Sequence, residues 1–167
     1  LLGPNGSARG GGAHGGRSSN STAAFKGCYG SVCCPTNSGS RSVYDTNLSG
    51  GGIVRLRVAG AAVVDGAIRA DGQRANVGYY SGSGGSVWIT AGSLDGTGAI
   101  SANGGVGGGS YSTGAGGRIA IHLTDAGALG SGLTVTAYSG YEYASNTFVP
   151  TGSPGTIYLE TSADAPF

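Results

Sequence analysis

The chain reads as an all-β protein, a parallel β-helix or β-solenoid of about 32–38-residue repeats with Gly-rich loops, and three observations predict this. A short strand-like phrase recurs four times, as Gly52-Ile53-Val54-Arg55-Leu56-Arg57, Gly85-Ser86-Val87-Trp88-Ile89-Thr90, Gly117-Arg118-Ile119-Ala120-Ile121-His122 and Gly155-Thr156-Ile157-Tyr158-Leu159-Glu160. The copies are offset by 33, 32 and 38 residues, and a repeat of this size marks units that stack on one another. Within the phrases apolar residues alternate, Val54, Leu56 and Val58, then Val87, Ile89 and Ala91, then Ile119, Ile121 and Leu123. Period two puts them on one face of a strand. Finally, 37 of the 167 residues are Gly. Each interior Gly disfavours helix by about 1 kcal/mol relative to Ala, and no window shows a 3.6-residue apolar period.

A second phrase follows the first in each unit: Gly66-Ala67-Ile68-Arg69-Ala70-Asp71-Gly72, Gly98-Ala99-Ile100-Ser101-Ala102-Asn103-Gly104, and a looser Gly132-Leu133-Thr134-Val135-Thr136-Ala137. Stacked at the strand spacing of about 4.8 Å, equivalent residues form columns. The expected inward columns are Val54, Val87, Ile119, Ile157 and Leu56, Ile89, Ile121, Leu159. The second phrase adds Ile68, Ile100, Val135 and the small column Ala70, Ala102, Ala137. The outward columns are Arg55, Trp88, Ala120, Tyr158 and Arg57, Thr90, His122, Glu160, in which Arg55 over Trp88 makes a cation–π contact. Asp71-Gly72 and Asn103-Gly104 are also hairpin-turn dipeptides, which keeps a β-sandwich built of hairpins as the alternative architecture.

Residues 51–167 form the repeat array. Residues 1–50 lack both phrases and read as a Gly-rich N-terminal cap or linker carrying the cysteine cluster. Three placements are open: a linker, a cap on the first rung, or an extended polyglycine-like layer against the array. The cap is preferred, because an exposed end is an open strand edge.

A net charge of +1, with 10% of residues charged, argues against nucleic acid or an anionic membrane as partner. No apolar run reaches the roughly 20 residues of a membrane span. The chain contains no Met, which suggests a processed chain or a segment of a longer one. Cys28, Cys33 and Cys34 are disulfide candidates; two can pair locally, leaving one free or bridging to another chain. A zinc site needs further ligands, and His14 and His122 are distant in sequence. Asn5, Asn20 and Asn47 each begin an N-x-Ser/Thr glycosylation pattern.

The run from Gly50 to Leu159, with its Gly-Gly-Ser-Val-Trp-Ile-Thr-Ala-Gly-Ser-Leu and Gly-Ala-Gly-Gly-Arg-Ile-Ala-Ile stretches, resembles a glycine-rich β-helix-like repeat module of large secreted and cell-surface proteins of bacteria, algae and other protists. Gly10 to Arg17 is similar to the stretch that often precedes that module. The resemblance implies a parallel β-solenoid without a catalytic motif. The chain departs from it at Cys28 to Thr36 and at Tyr138 to Val149, where aromatic and cysteine residues replace the glycine run.

The leading expectation is therefore a non-catalytic extracellular or cell-surface structural or adhesive module, a subunit or segment of a filament or surface layer, with no cofactor. Its expected partners are copies of itself and, as a second class, glycans. Tyr79, Tyr80, Tyr111, Tyr138, Tyr141 and Tyr143 fall between the strand phrases as candidate contacts with a neighbouring subunit or a glycan; with equal weight they cover glycine backbone. The rivals are a glycan-binding module and a polysaccharide-active β-helix enzyme. Such an enzyme needs paired carboxylates about 5–10 Å apart. Asp65, Asp71 and Asp95 are the candidates, yet all three sit where turns prefer Asp. Neither His14 nor His122 has a nucleophile in recognisable context.

Overall fold

The computed structural model describes residues 11–18, 27–42, 48–75, 80–108, 113–125, 129–144, 147–150 and 152–164. Twelve strands and no helix occur among them: β1 (Ile53–Arg57), β2 (Ala61–Val63), β3 (Ala67–Arg69), β4 (Ser86–Ala91), β5 (Ser93–Asp95), β6 (Ala99–Ser101), β7 (Gly107–Gly108), β8 (Arg118–Leu123), β9 (Thr134–Thr136), β10 (Tyr141–Ala144), β11 (Thr147–Pro150) and β12 (Thr156–Thr161). The protein is all-β, and among the described residues no helix is long and apolar enough to cross a membrane.

The repeats determine the pairing. The first sheet has the order β1-β4-β8-β12, with Ile53 opposite Ser86, Ser86 opposite Arg118, and Arg118 opposite Thr156. Those registers reproduce the sequence offsets. A second sheet pairs β2 with β5 and continues as a single bridge from Leu94 to Leu129. A third has the order β3-β6-β9. In all three sheets the pairing is parallel. The one antiparallel pair among the described residues is the hairpin of β10 and β11, whose first strand also pairs with β7.

The core lies between the three sheets. Val87, Ile89, Ile119 and Ile121 come from the first sheet, Leu94 from the second, and Ile100 and Ala102 from the third. Burying one such Ile or Leu contributes about 1.5–3 kcal/mol. Burial is graded along the stack: Ile89 and Ile121 are each 1% exposed, whereas Leu56 and Leu159 in the same column are 38% and 42% exposed. Only the middle strands have neighbours on both sides, so each repeat owes its burial to the next.

A second layer is made of glycine-rich backbone with no regular strand. Gly51 donates to Ser83 O, Ser83 to Ser40 O, Gly84 to Ala115 O and Ala115 to Gly12 O, all within 2.8–3.0 Å. Successive amides therefore bond to different neighbouring segments instead of forming one ladder. Such close approach requires the absence of side chains: a Cβ on Gly84 would sit 2.0 Å from Ala102 O, and one on Gly114 would sit 1.9 Å from Gly82 O.

The described N-terminal residues belong to this layer and to a strap. Gly11 to Gly16 interleave with the glycine segments of later repeats, with Gly12 donating to Ser81 O and Gly16 to Gly116 O. Residues 27–37 run across the outer face of the first sheet. Arg118 Nε donates to Tyr29 O (2.8 Å), Ser86 Oγ to Asn37 O (2.5 Å), and His122 Nε2 lies 2.6 Å from Cys33 O. Ala120, which points away from the core, is fully buried beneath the strap. These residues lie along the side of the array, whereas β1 stands at the edge of its sheet with Ile53 44% exposed. Their glycine content fits them to a lateral backbone layer.

Candidate functional site

The turn following the third sheet opens a groove of about 430 Å³, within the roughly 300–1,000 Å³ span of ligand pockets. Three successive repeats build it. Ala70, Ala102 and Ala137 turn inward into the core, which places Asp71, Asn103 and Tyr138, one residue later in each repeat, at the groove. A ladder locks them in step: Asn103 N donates to Asp71 Oδ1 and Tyr138 N to Asn103 Oδ1, both at 2.7 Å. Ser101 Oγ donates to the other Asp71 oxygen at 2.9 Å, and Asn103 Nδ2 donates to Thr136 Oγ1 at 3.1 Å. Asp71 and Asn103 are thus committed to holding one repeat over the next.

What remains to face the groove is basic and aromatic. Arg69 is the outward residue of β3 and Arg74 lies on the exposed glycine turn; both are exposed and line the groove. Neither side chain makes a hydrogen bond or ion pair among the described residues. Tyr138 is 66% exposed and Tyr141 is 38% exposed on the same wall. Gly72, Gly104 and Gly105 supply the floor.

The predicted tyrosines are divided by the structure. Tyr138 and Tyr141 come together at the groove, Tyr80 is half-buried outside its lining, and Tyr143 is placed by its backbone in β10. Tyr79 and Tyr111 lie outside the described residues, as do Asn5, Asn20 and Asn47. Arg69 and Arg74 escaped the sequence reading; the signal was the outward position of Arg69 in its strand phrase beside a second Arg on the same turn.

The other acidic candidates also serve turns. Asp65 Oδ1 accepts Thr97 N at 3.0 Å, and Asp95 Oδ1 accepts Gly96 N at 2.8 Å. His14 is fully buried, stacked on Tyr29 at 4.7 Å between centroids, with Nδ1 2.9 Å from Gly84 O and no partner for Nε2. Burial pushes its pKa below the ordinary 6.5, and the Arg118 charge pushes the same way against the Gly84 hydrogen bond. Burial likewise raises Tyr29.

No family model matches the chain, and neither a curated protein nor a solved structure matches it.

The cysteines gather on the strap. Cys33 and Cys34 are half-buried free thiols with Sγ atoms 3.3 Å apart, and Cys28 is an exposed free thiol. Hydrogen bonding from Ser31, 3.4 Å away, lowers the Cys33 pKa, while the hydrogen bond with Cys33 raises Cys34. Beneath them His122 Nδ1 pairs with Glu160 at 2.9 Å, and its ring lies between Trp88 and Tyr158 at 6.1 and 5.6 Å. Arg55 lies 4.1 Å over the Trp88 ring. Among the described residues no group of three or more His, Cys, Asp or Glu is arranged to hold a metal ion.

The ends of the first sheet form a second candidate surface. Among the described residues β1 and β12 each have one strand neighbour, and Ile53, Leu56, Ile157 and Leu159 are all between 38% and 49% exposed. Arg57 ends β1 exposed, and the Glu160 side chain on β12 is 48% exposed.

Proposed function

We propose that the chain is a non-catalytic structural module of extracellular or cell-surface material, a parallel β-solenoid whose copies join head to tail through the open edges of the first sheet. The observation that carries this is the complementarity of β12 and β1. Continuing the parallel register by one strand sets Val54 of a second copy on Ile157 and Leu56 on Leu159. The same step brings Arg57 beside Glu160 and Arg55 over Tyr158, repeating the stacking that Arg55 already makes with Trp88. Opposite charges directly across a strand pair are favourable, and unpaired edge amides template a further strand. The contact uses different surfaces on the two copies, so it propagates as an open filament instead of closing as a dimer. The glycine-rich resemblance over Gly50 to Leu159 supports the same reading.

Sedimentation and electron microscopy of wild type, Glu160→Arg, Arg57→Glu and the charge-exchanged double variant test it. Each single variant should abolish filaments and the double variant should restore them. Unaltered assembly in both single variants would refute the head-to-tail contact.

A further inference from the structure

We infer that the groove spanning Asp71, Asn103 and Tyr138 binds an anionic oligosaccharide, with Arg69 and Arg74 taking its carboxylate or sulfate groups and Tyr138 lying against a sugar ring. Asp71 accepts from Ser101 Oγ and Asn103 N, and Asn103 is used on both its oxygen and its nitrogen. The Asp71 oxygens are therefore held by the scaffold, and one acid against two arginines leaves the groove with net positive charge. Arg69 and Arg74 present planar fans of donors to a concave surface, and a guanidinium matches the two oxygens of a carboxylate or sulfate geometrically.

Charge alone would suit any small anion, but the wall adds an apolar element. Tyr138 is one of the most exposed large hydrophobic side chains among the described residues, and Tyr141 lines the same groove. An aromatic ring with a polar tip suits a ligand with both a flat C–H face and hydroxyl groups, which a pyranose has and an inorganic ion lacks. The groove follows the stacking direction across three repeats, with Arg69 and Arg74 on the first and Tyr138 on the third, so a linear ligand can lie along it over two strand spacings of about 4.8 Å each. None of these residues belongs to β1 or β12, the strands whose side chains make the proposed head-to-tail contact.

Calorimetric titration of the full chain tests the inference, using an oligogalacturonate, a sulfated oligosaccharide, a neutral maltooligosaccharide of equal length and inorganic sulfate. Saturable binding of one or both acidic oligosaccharides is expected, with the preferred one identifying the anionic group. Arg69→Gln and Arg74→Gln should each weaken it at least about tenfold, the size of one lost charge-assisted hydrogen bond. Tyr138→Ala should weaken it too, and Arg55→Gln, outside the groove, should not. Glu160→Arg should bind like wild type, which separates this site from the assembly contact. Equal binding of the neutral oligosaccharide, equal binding of sulfate alone, no binding of either acidic oligosaccharide, or wild-type affinity in both groove arginine variants would each overturn the inference. Unchanged melting temperatures would show that the exposed substitutions leave the fold intact.

Discussion

Two alanine substitutions in one column separate stacking from strand propensity. Ile89 and Leu56 face each other across β4 and β1, yet they are 1% and 38% exposed. Truncation to Ala removes three carbons from either, about 2.4 kcal/mol of transfer free energy at roughly 0.8 kcal/mol per methylene. At Ile89 the full amount is lost and a closed cavity adds to it, giving about 3–4 kcal/mol, inside the usual range of roughly 2–5 kcal/mol. At Leu56 about three-fifths of the transfer term is at stake and the gap opens to solvent, giving about 1.5 kcal/mol. For a chain of this length each kcal/mol moves the midpoint by roughly 2–4 °C, so Ile89→Ala should melt about 4–8 °C below Leu56→Ala. Scanning calorimetry in a Glu160→Arg background keeps assembly from burying Leu56. Equal melting temperatures would refute the claim that each strand is buried by its neighbours in the stack.

The buried His14 predicts a pH effect of definite sign. Its folded pKa lies below the ordinary 6.5, so on acidification the unfolded chain takes up a proton that the folded chain resists. Stability should be full above about pH 6.5 and fall as pH drops toward the folded pKa; urea midpoints for wild type and His14→Gln should differ in slope there, and parallel slopes would refute the assignment. The cysteines predict an order of reactivity. The Ser31 contact lowers the Cys33 pKa while that of Cys34 is raised, so iodoacetamide should label Cys33 before Cys34; peptide mapping should show the preference shrinking in Ser31→Ala.

The strand register was legible in the sequence because period-two side chains and a fixed offset allow few alternatives. The inward columns from Val54 to Ile157 and from Leu56 to Leu159 pair as the phrases align, and Arg55 meets Trp88. The sequence left the placement of residues 11–18 and 27–37 open between a linker, a cap and a layer against the array. Their docking depends on backbone carbonyls and on a small outward residue, Ala120, and neither leaves a periodic trace. The groove was half legible: Tyr138 and Tyr141 were conspicuous as aromatics, but Arg69 and Arg74 became notable only when the ladder showed Asp71 to be engaged elsewhere.

The glycine layer also governs how such a chain can diverge. Every single-base change that alters a glycine codon without ending the chain introduces a side chain, and at Gly12, Gly51, Gly84, Gly114 and Gly117 the first added carbon would fall on a neighbouring carbonyl. Inheritance can therefore alter the exposed outward positions and groove walls more readily than the layer behind them, which admits almost no substitution. Related chains should accordingly agree in their glycines and differ in what they display.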